Sequence, residues 1–310
     1  MHTPSTNTLE DVPRAPASGP STVATPRGPL EYVEVGEGPV ILALHGAMGG
    51  HDQSLLLARI IGEAGFRYVA LSRPGYLGTP LRSGRTPAEQ ADLYAAGLDA
   101  LGVGAAAVMA VSGGGPSAIE FAVRHRERCR ALVLVSTCSG RISTRVPLSF
   151  HVTKRLMRWR WFGEAMRRKV EREPRKAAAR SILDPEVRER TLRDPVTSAL
   201  LGELVSSTLH RPWLRLAGTE NDIAVTRSTE YALERVEVPV LIVHGTHDRM
   251  VPFDQHGKRL AERIPGAELL AIPGGEHVSI FTHRDEVRAR VTRFLRQHAR
   301  SAAGSVPARG

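Results

Sequence analysis

Cysteine is scarce in this chain. Cys129 and Cys138 are its two cysteines in 310 residues, which excludes the disulfide frameworks that staple small secreted domains. They sit just before and just after one apolar run, so thiols buried or half-buried in a reducing compartment are expected. No window approaches the roughly eighteen uninterrupted apolar residues of a membrane-spanning helix. The opening MHTPSTNTLEDVPRAPASGPS has no apolar h-region and is rich in Pro, Ser and Thr. Residues 1–20 are therefore expected to be a disordered tail, not a secretion signal. No internal repeat is visible. These absences lead to the expectation of a soluble, cytoplasmic protein.

What the chain does have is enough apolar material for a sizeable core. Hydrophobic residues make up 42% of it, which suits one large domain or a core domain with an insertion. The net charge of +10 raises acidic partners. The basic residues are nearly all arginine and are spread over many helical segments, so a solvated surface is the expected reading and no nucleic acid partner is inferred.

Short apolar runs alternate with helical patterns. STVAT (21–25) and LEYVEV (30–35) flank Pro26-Arg27-Gly28-Pro29 and read as a hairpin. VILAL (40–44) is a continuous apolar run, as expected of a strand covered on both faces. A helix over 53–64, a strand at 67–71, a helix from Thr86 to about 101, a strand at 105–111, a helix to about 126 and a strand at 131–137 follow. Thr86-Pro87-Ala88-Glu89 is a helix start with an N-cap, a first-turn proline and a glutamate three on. From 140 to 234 the alternation gives way to arginine-rich amphipathic patterns. It resumes with a strand at 240–243, a helix at 254–264, a strand at 268–272 and a helix at 284–299. This predicts a doubly wound, mostly parallel eight-stranded α/β sheet. The expected organisation is a core of 21–139 and 235–299, an inserted helical cap at 140–234 and a flexible tail at 300–310.

In open α/β sheets, ligands bind beyond the carboxyl ends of the strands. His45-Gly46-Ala47-Met48-Gly49-Gly50 follows the third strand and Ser72-Arg73-Pro74-Gly75-Tyr76 the fourth. Ser112-Gly113-Gly114 follows the fifth, His244-Gly245-Thr246-His247-Asp248 follows the seventh, and Pro273-Gly274-Gly275-Glu276-His277 follows the eighth. A serine, an acid and a histidine thus arrive in that chain order, each on a strand-end loop.

With HGAMGG, AVSGGGPSA, HGTHDRMVP and PGGEHVSIFTH in this order, the chain resembles the α/β-hydrolase-fold serine hydrolases that carry a helical cap. The resemblance covers about residues 21–299. It implies a catalytic Ser112, activated by His277 as base, with Asp248 orienting the imidazole. The amides of Ala47 and Gly113 would form the oxyanion hole. The usual elbow is G-x-S-x-G; here Ala110 replaces the first glycine, one methyl more at a crowded position. Met48 and Tyr76 are candidates for the acyl pocket, with core packing as the alternative. Ser112 as a simple helix cap, Asp254 or Asp222 as the acid, and His283 as the base remain open. His45 is expected to order the oxyanion loop, and His247 to be solvated.

Three other readings compete. The consecutive Gly113, Gly114 and Gly115 fit neither a dinucleotide fingerprint nor a P-loop. His244, His247 and Asp248 lack a spaced second pair of metal ligands, so metal-free chemistry without a cofactor is expected. KRLMRWRWFGEAMRRKVERE (154–173) raises a reading of another class, a non-catalytic protein that binds a membrane surface or nucleic acid through its basic cap. The stretch suits equally a cap helix whose Trp159 and Trp161 pack over the site, and no stable membrane association is expected. Such a hydrolase would take a small-molecule substrate, an ester first, with C–C bond and iminopeptidase-like amide cleavage as alternatives. An ammonium would need acids such as Glu203 or Glu220-Asn221-Asp222. A homodimer is left open.

Overall fold

The structure, a computed structural model, describes residues 12–142 and 154–299. The rest of the expected N-terminal tail, the cap segment 143–153 and the tail from 300 lie outside them. In chain order come β1 (Ser21–Thr25), β2 (Gly28–Val35), β3 (Val40–Leu44), α1 (His51–Ile61), β4 (Arg67–Leu71), α2 (Pro87–Ala100), β5 (Ala106–Val111), α3 (Gly115–Arg124) and β6 (Cys129–Val135). The inserted helices are α4 (Arg160–Arg172), α5 (Pro174–Ala178), α6 (Pro185–Arg193), α7 (Pro195–Leu209) and α8 (Leu216–Ser228). The sheet then resumes with β7 (Val240–Gly245), α9 (Gly257–Arg263), β8 (Glu268–Ile272), α10 (Ser279–Thr282) and α11 (Arg284–His298).

The eight strands form one sheet in the order β1-β2-β4-β3-β5-β6-β7-β8. The pairs β1–β2 and β2–β4 are antiparallel, and all pairs from β4–β3 onward are parallel. Side-chain alternation along each strand feeds two cores. Ile41, Met109, Val133 and Leu241 join Leu56, Leu57, Val291 and Phe294 on the α1/α11 face. Leu42, Val108, Leu134 and Ile242 join Leu93, Ile119, Phe121 and Leu260 on the other. Covering both faces explains why the central strands read as uninterrupted apolar runs.

Local chemistry sets the boundaries. Thr86 accepts from Glu89 N at 3.1 Å and Glu89 accepts from Thr86 N at 2.9 Å, closing the expected capping box of α2. β6 starts two residues earlier than expected, at Cys129, and stops two residues earlier because the chain leaves the sheet at Ser136 with φ 44°. α9 starts at Gly257, not 254, because Gln255 N and His256 N bond back to Pro252 O in a turn (3.1 and 3.0 Å). Val12, expected within a disordered tail, is 2% exposed and packs into the α1/α11 core.

The inserted helices are tied to the core below them. Leu200 and Leu201 of α7 share the core of α1. Gly218 N donates to Gly75 O at 2.9 Å and Leu77 N to Leu214 O at 2.8 Å. Arg215, fully buried, pairs with Asp52 at 2.5 Å.

Candidate active site

Ser112 stands where β5 turns into α3, with φ 50°. A non-glycine residue held there costs about 1–3 kcal/mol and persists where its surroundings fix it. Thr137 Oγ1 donates to Ser112 O at 2.6 Å. The turn also lies against the end of β3: a Cβ on Gly114 would stand 2.7 Å from His45 O and 2.9 Å from Leu44 O. Ala110 is fully buried and its extra methyl is accommodated. The N-cap position of the following helix is Gly114, not Ser112. The Ser112 hydroxyl is turned to a histidine.

That histidine is His277, whose Nε2 lies 3.1 Å from Ser112 Oγ. Its Nδ1 lies 2.7 Å from Asp248 Oδ2. The other carboxylate oxygen accepts from the amides of Met250 and Val251, both at 2.9 Å. An ionised carboxylate is acceptor-only, so the proton of the neutral ring belongs on Nδ1 and the lone pair of Nε2 faces the serine. Burial pushes the Asp248 carboxyl up. The His277 hydrogen bond and charge, with the Val251 amide, outweigh burial and hold it below the usual range. His244 backs the acid, with its Nε2 2.8 Å from Val251 O, and burial lowers its pKa.

The alternatives lie elsewhere. Asp254 is in the turn before α9. His283 bonds to Thr282 Oγ1 at 2.9 Å. His247 is exposed whereas His244 is buried. Asp222 is near the serine turn but faces Arg73, not His277.

The loop after β3 closes over the turn. A Cβ on Gly46 would stand 3.1 Å from Ser112 Cβ, and one on Gly113 would stand 3.4 Å from Ala47 N. The Ala47 and Gly113 backbones thus lie close to each other beside the serine turn. His45 orders this loop as expected: its Nδ1 meets Gly46 O at 2.6 Å and its Nε2 accepts from Arg73 N at 3.0 Å. Those partners fix the neutral Nδ1–H tautomer, in keeping with a pKa pushed well below the ordinary value by burial and then by Arg73.

Sequence reasoning missed a buried network beneath this loop. Arg73 Nε donates to His45 O at 2.8 Å, and its two terminal nitrogens grip Asp222 at 3.0 and 2.5 Å. Tyr76 donates to Asp222 Oδ2 at 2.6 Å. The signal available was position: Arg73 lies on a strand-end loop. Tyr76 is fully buried in this network. Met48 takes a left-handed φ of 58° and donates its amide to Thr219 Oγ1 at 3.0 Å. Neither residue is among those lining the cavity described below.

Residues 39–284 match the sequence profile of the alpha/beta hydrolase fold. The chain belongs to the α/β-hydrolase family. A solved structure of an α/β-hydrolase-fold protein from Nakamurella multipartita is 36% identical, with a TM-score of 0.80 over 90% of this chain and 99% of that one. The poly(3-hydroxyalkanoate) depolymerase of Ectopseudomonas oleovorans is 30% identical over 247 residues, covering 76% of this chain and 80% of its own. The 2-hydroxy-6-oxononadienedioate/2-hydroxy-6-oxononatrienedioate hydrolase of Burkholderia vietnamiensis is 26% identical over 281 residues, 86% of this chain and 91% of that one.

In this α/β-hydrolase a cavity of 320 Å³ opens on Ser112 and His277. Its walls come from α1 (Leu56, Leu57, Ile60), α7 (Leu204) and the segment after His277 (Ile280, Phe281). Gln53 and Thr208 supply its polar side chains beyond the serine and histidine, and their side chains bond to each other at 3.1 Å. A larger depression of 550 Å³ lies beside Asp248 but includes neither Ser112 nor His277. Trp159 and Trp161 do not cover the site: they are 58% and 65% exposed and stack on each other with ring centroids 5.9 Å apart. Among the described residues no helix is long and apolar enough to cross a membrane.

Proposed function

We propose that this hydrolase cleaves carboxylic esters with an apolar acyl chain, through an acyl-enzyme on Ser112. The observation that carries the reading is the hydrogen-bonded chain Ser112–His277–Asp248 opening into a greasy cavity. His277 takes the hydroxyl proton as Ser112 attacks the acyl carbon. The Ala47 and Gly113 amides stabilise the oxyanion. His277 then protonates the departing alkoxide and activates water to release the acid, while Asp248 holds the ring and stabilises the imidazolium.

Two features favour an ester over the alternatives. The acids suited to a substrate ammonium are already committed: Glu203 pairs with Arg59, Glu220 with Lys154 and Arg158, and Asp222 with Arg73. A dienedioate carries carboxylates, and among the described residues lining the cavity none is lysine or arginine. The free, buried Cys129 and Cys138 support a reducing, cytoplasmic setting. The test is turnover against a panel of p-nitrophenyl esters, aminoacyl amides and vinylogous diketones. Ester turnover that vanishes in Ser112→Ala supports the reading. Preference for the amide or diketone, or turnover that survives in that variant, overturns it.

A further inference from the structure

The buried ion pair Arg73–Asp222 and the hydroxyl of Thr219 converge on the loop that would supply one oxyanion donor. Resting on the ester-hydrolase reading, we infer that Arg73, Asp222 and Thr219 are positioning residues, through which helix α8 of the cap sets the direction of the Ala47 N–H.

The argument starts with the Gly46–Ala47 peptide. The described chain has no cis peptide bond, and a trans peptide is planar with its N–H opposite to its C=O. Whatever holds the Gly46 carbonyl therefore aims the Ala47 N–H. That carbonyl meets His45 Nδ1 at 2.6 Å and Arg73 Nη2 at 3.4 Å. One residue back, Arg73 Nε holds His45 O at 2.8 Å. Both carbonyls preceding the Ala47 amide are thus gripped by one guanidinium, whose side chain is 1% exposed.

The guanidinium is in turn oriented by the cap. Asp222 takes both terminal nitrogens of Arg73 in a fork, at 3.0 and 2.5 Å, a geometry that fixes the plane as well as the place of the group. One turn earlier on α8, Thr219 accepts from Met48 N at 3.0 Å, on the far side of Ala47. Residues three apart share a helix face, so a single surface of α8 pins the loop on both sides of its donor. Gly218, beside Thr219, lets the helix approach: a Cβ there would stand 2.2 Å from the Tyr76 ring.

Charge points the same way. A Cβ on Gly113 would lie 2.9 Å from Asp222 Oδ2, so a carboxylate sits against the second donor residue. Unpaired, it would repel a forming oxyanion. Paired with Arg73, it forms a neutral unit that shapes the hole without opposing the charge.

The test compares the wild type with Asp222→Asn and Thr219→Val, using a short p-nitrophenyl ester and counting active sites by fluorophosphonate titration. Removing a whole oxyanion donor lowers kcat by about 10²–10³, so misaiming one is expected to lower kcat per titrated site by about 10- to 100-fold. KM should stay within about twofold. Affinity for a trifluoromethyl ketone, whose adduct carries the oxyanion, should fall in parallel with kcat. The pH dependence should not move, because Ser112, His277 and Asp248 are untouched. If Asp222→Asn does not fold, the double variant Arg73→Met/Asp222→Asn, which carries neither charge, gives the same readouts. Wild-type kcat per titrated site in the folded variants overturns the inference, as does loss confined to KM. A wild type that is not labelled at Ser112 overturns the ester-hydrolase reading itself, and this inference with it.

Discussion

Asp248 Oδ2 lies 2.7 Å from His277 Nδ1, and the other Asp248 oxygen is held by two backbone amides. The carboxylate is therefore fixed before any substrate arrives, and its ionised form is favoured despite burial. Asp248→Asn would keep the shape and lose the anion. An amide can hold the ring with its proton on Nε2, the tautomer that cannot take a proton from Ser112. Expected is a loss of about 10⁴-fold in kcat with the fold intact. Steady-state kinetics on a p-nitrophenyl ester, with circular dichroism as the folding control, checks it. A loss below tenfold would mean that another acid serves.

How much of this was legible in the sequence depends on the range of the interaction. The central strands could be read because both faces are buried, so VILAL and VLIV carry no polar interruption. Ser112, Asp248 and His277 could be read because each stands at a strand end, where the fold concentrates ligands. The Arg73–Asp222 pair could not be matched, because its partners are separated by 149 positions and nothing local marks the choice. Tyr76 could be placed near the site but not assigned, since its role depends on where Asp222 sits. The start of α9 is set by a turn whose hydrogen bonds run backward to Pro252 O, which a sequence pattern does not display. For Trp159 and Trp161 the reason is different: amphipathic spacing says which residues share a face, not what that face meets.

The cavity makes a prediction about chain length. Burying one methylene is worth about 0.8 kcal/mol, close to fourfold in kcat/KM. In wild type, kcat/KM is expected to rise by up to about fourfold per methylene along a series of p-nitrophenyl esters, then fall once 320 Å³ is filled. Leu204→Trp takes volume from the α7 wall. It should move the optimum to shorter acyl chains and leave the acetate ester nearly unchanged. An unchanged optimum would place the acyl chain outside this cavity.

The elbow makes a prediction about stability. At Gly114 an added methyl would meet the backbone oxygens of His45 and Leu44, at 2.7 and 2.9 Å, and backbone cannot swing aside as a side chain can. Gly114→Ala should therefore destabilise by about 1–3 kcal/mol, as other overpacked sites do. It should also displace Ser112 from His277. Urea unfolding reads the first effect, and the rate of fluorophosphonate labelling per folded molecule reads the second. Wild-type stability together with wild-type labelling would mean that the turn is not pinned by β3.

Acid stability follows from a histidine remote from the serine. His256 is 2% exposed; its Nδ1 lies 3.3 Å from Ser139 N and 3.2 Å from Ser139 Oγ, and among the described residues its buried Nε2 has no hydrogen-bond partner. Burial, with the nearby His244 and Arg259, lowers its pKa from 6.5 to about 4. Between those values the unfolded chain binds a proton that the folded chain refuses. Stability must then fall as pH drops from 6.5 toward 4, and rise with pH across the same window. His45 and His244, also lowered by burial, act in the same direction. The melting temperature is expected to fall between about pH 7.5 and about pH 5. His256→Asn places an oxygen near the Nδ1 position to accept from Ser139 and has no proton to gain. Its melting temperature should fall less over that interval than that of the wild type. An equal fall in both would assign the acid sensitivity to other groups.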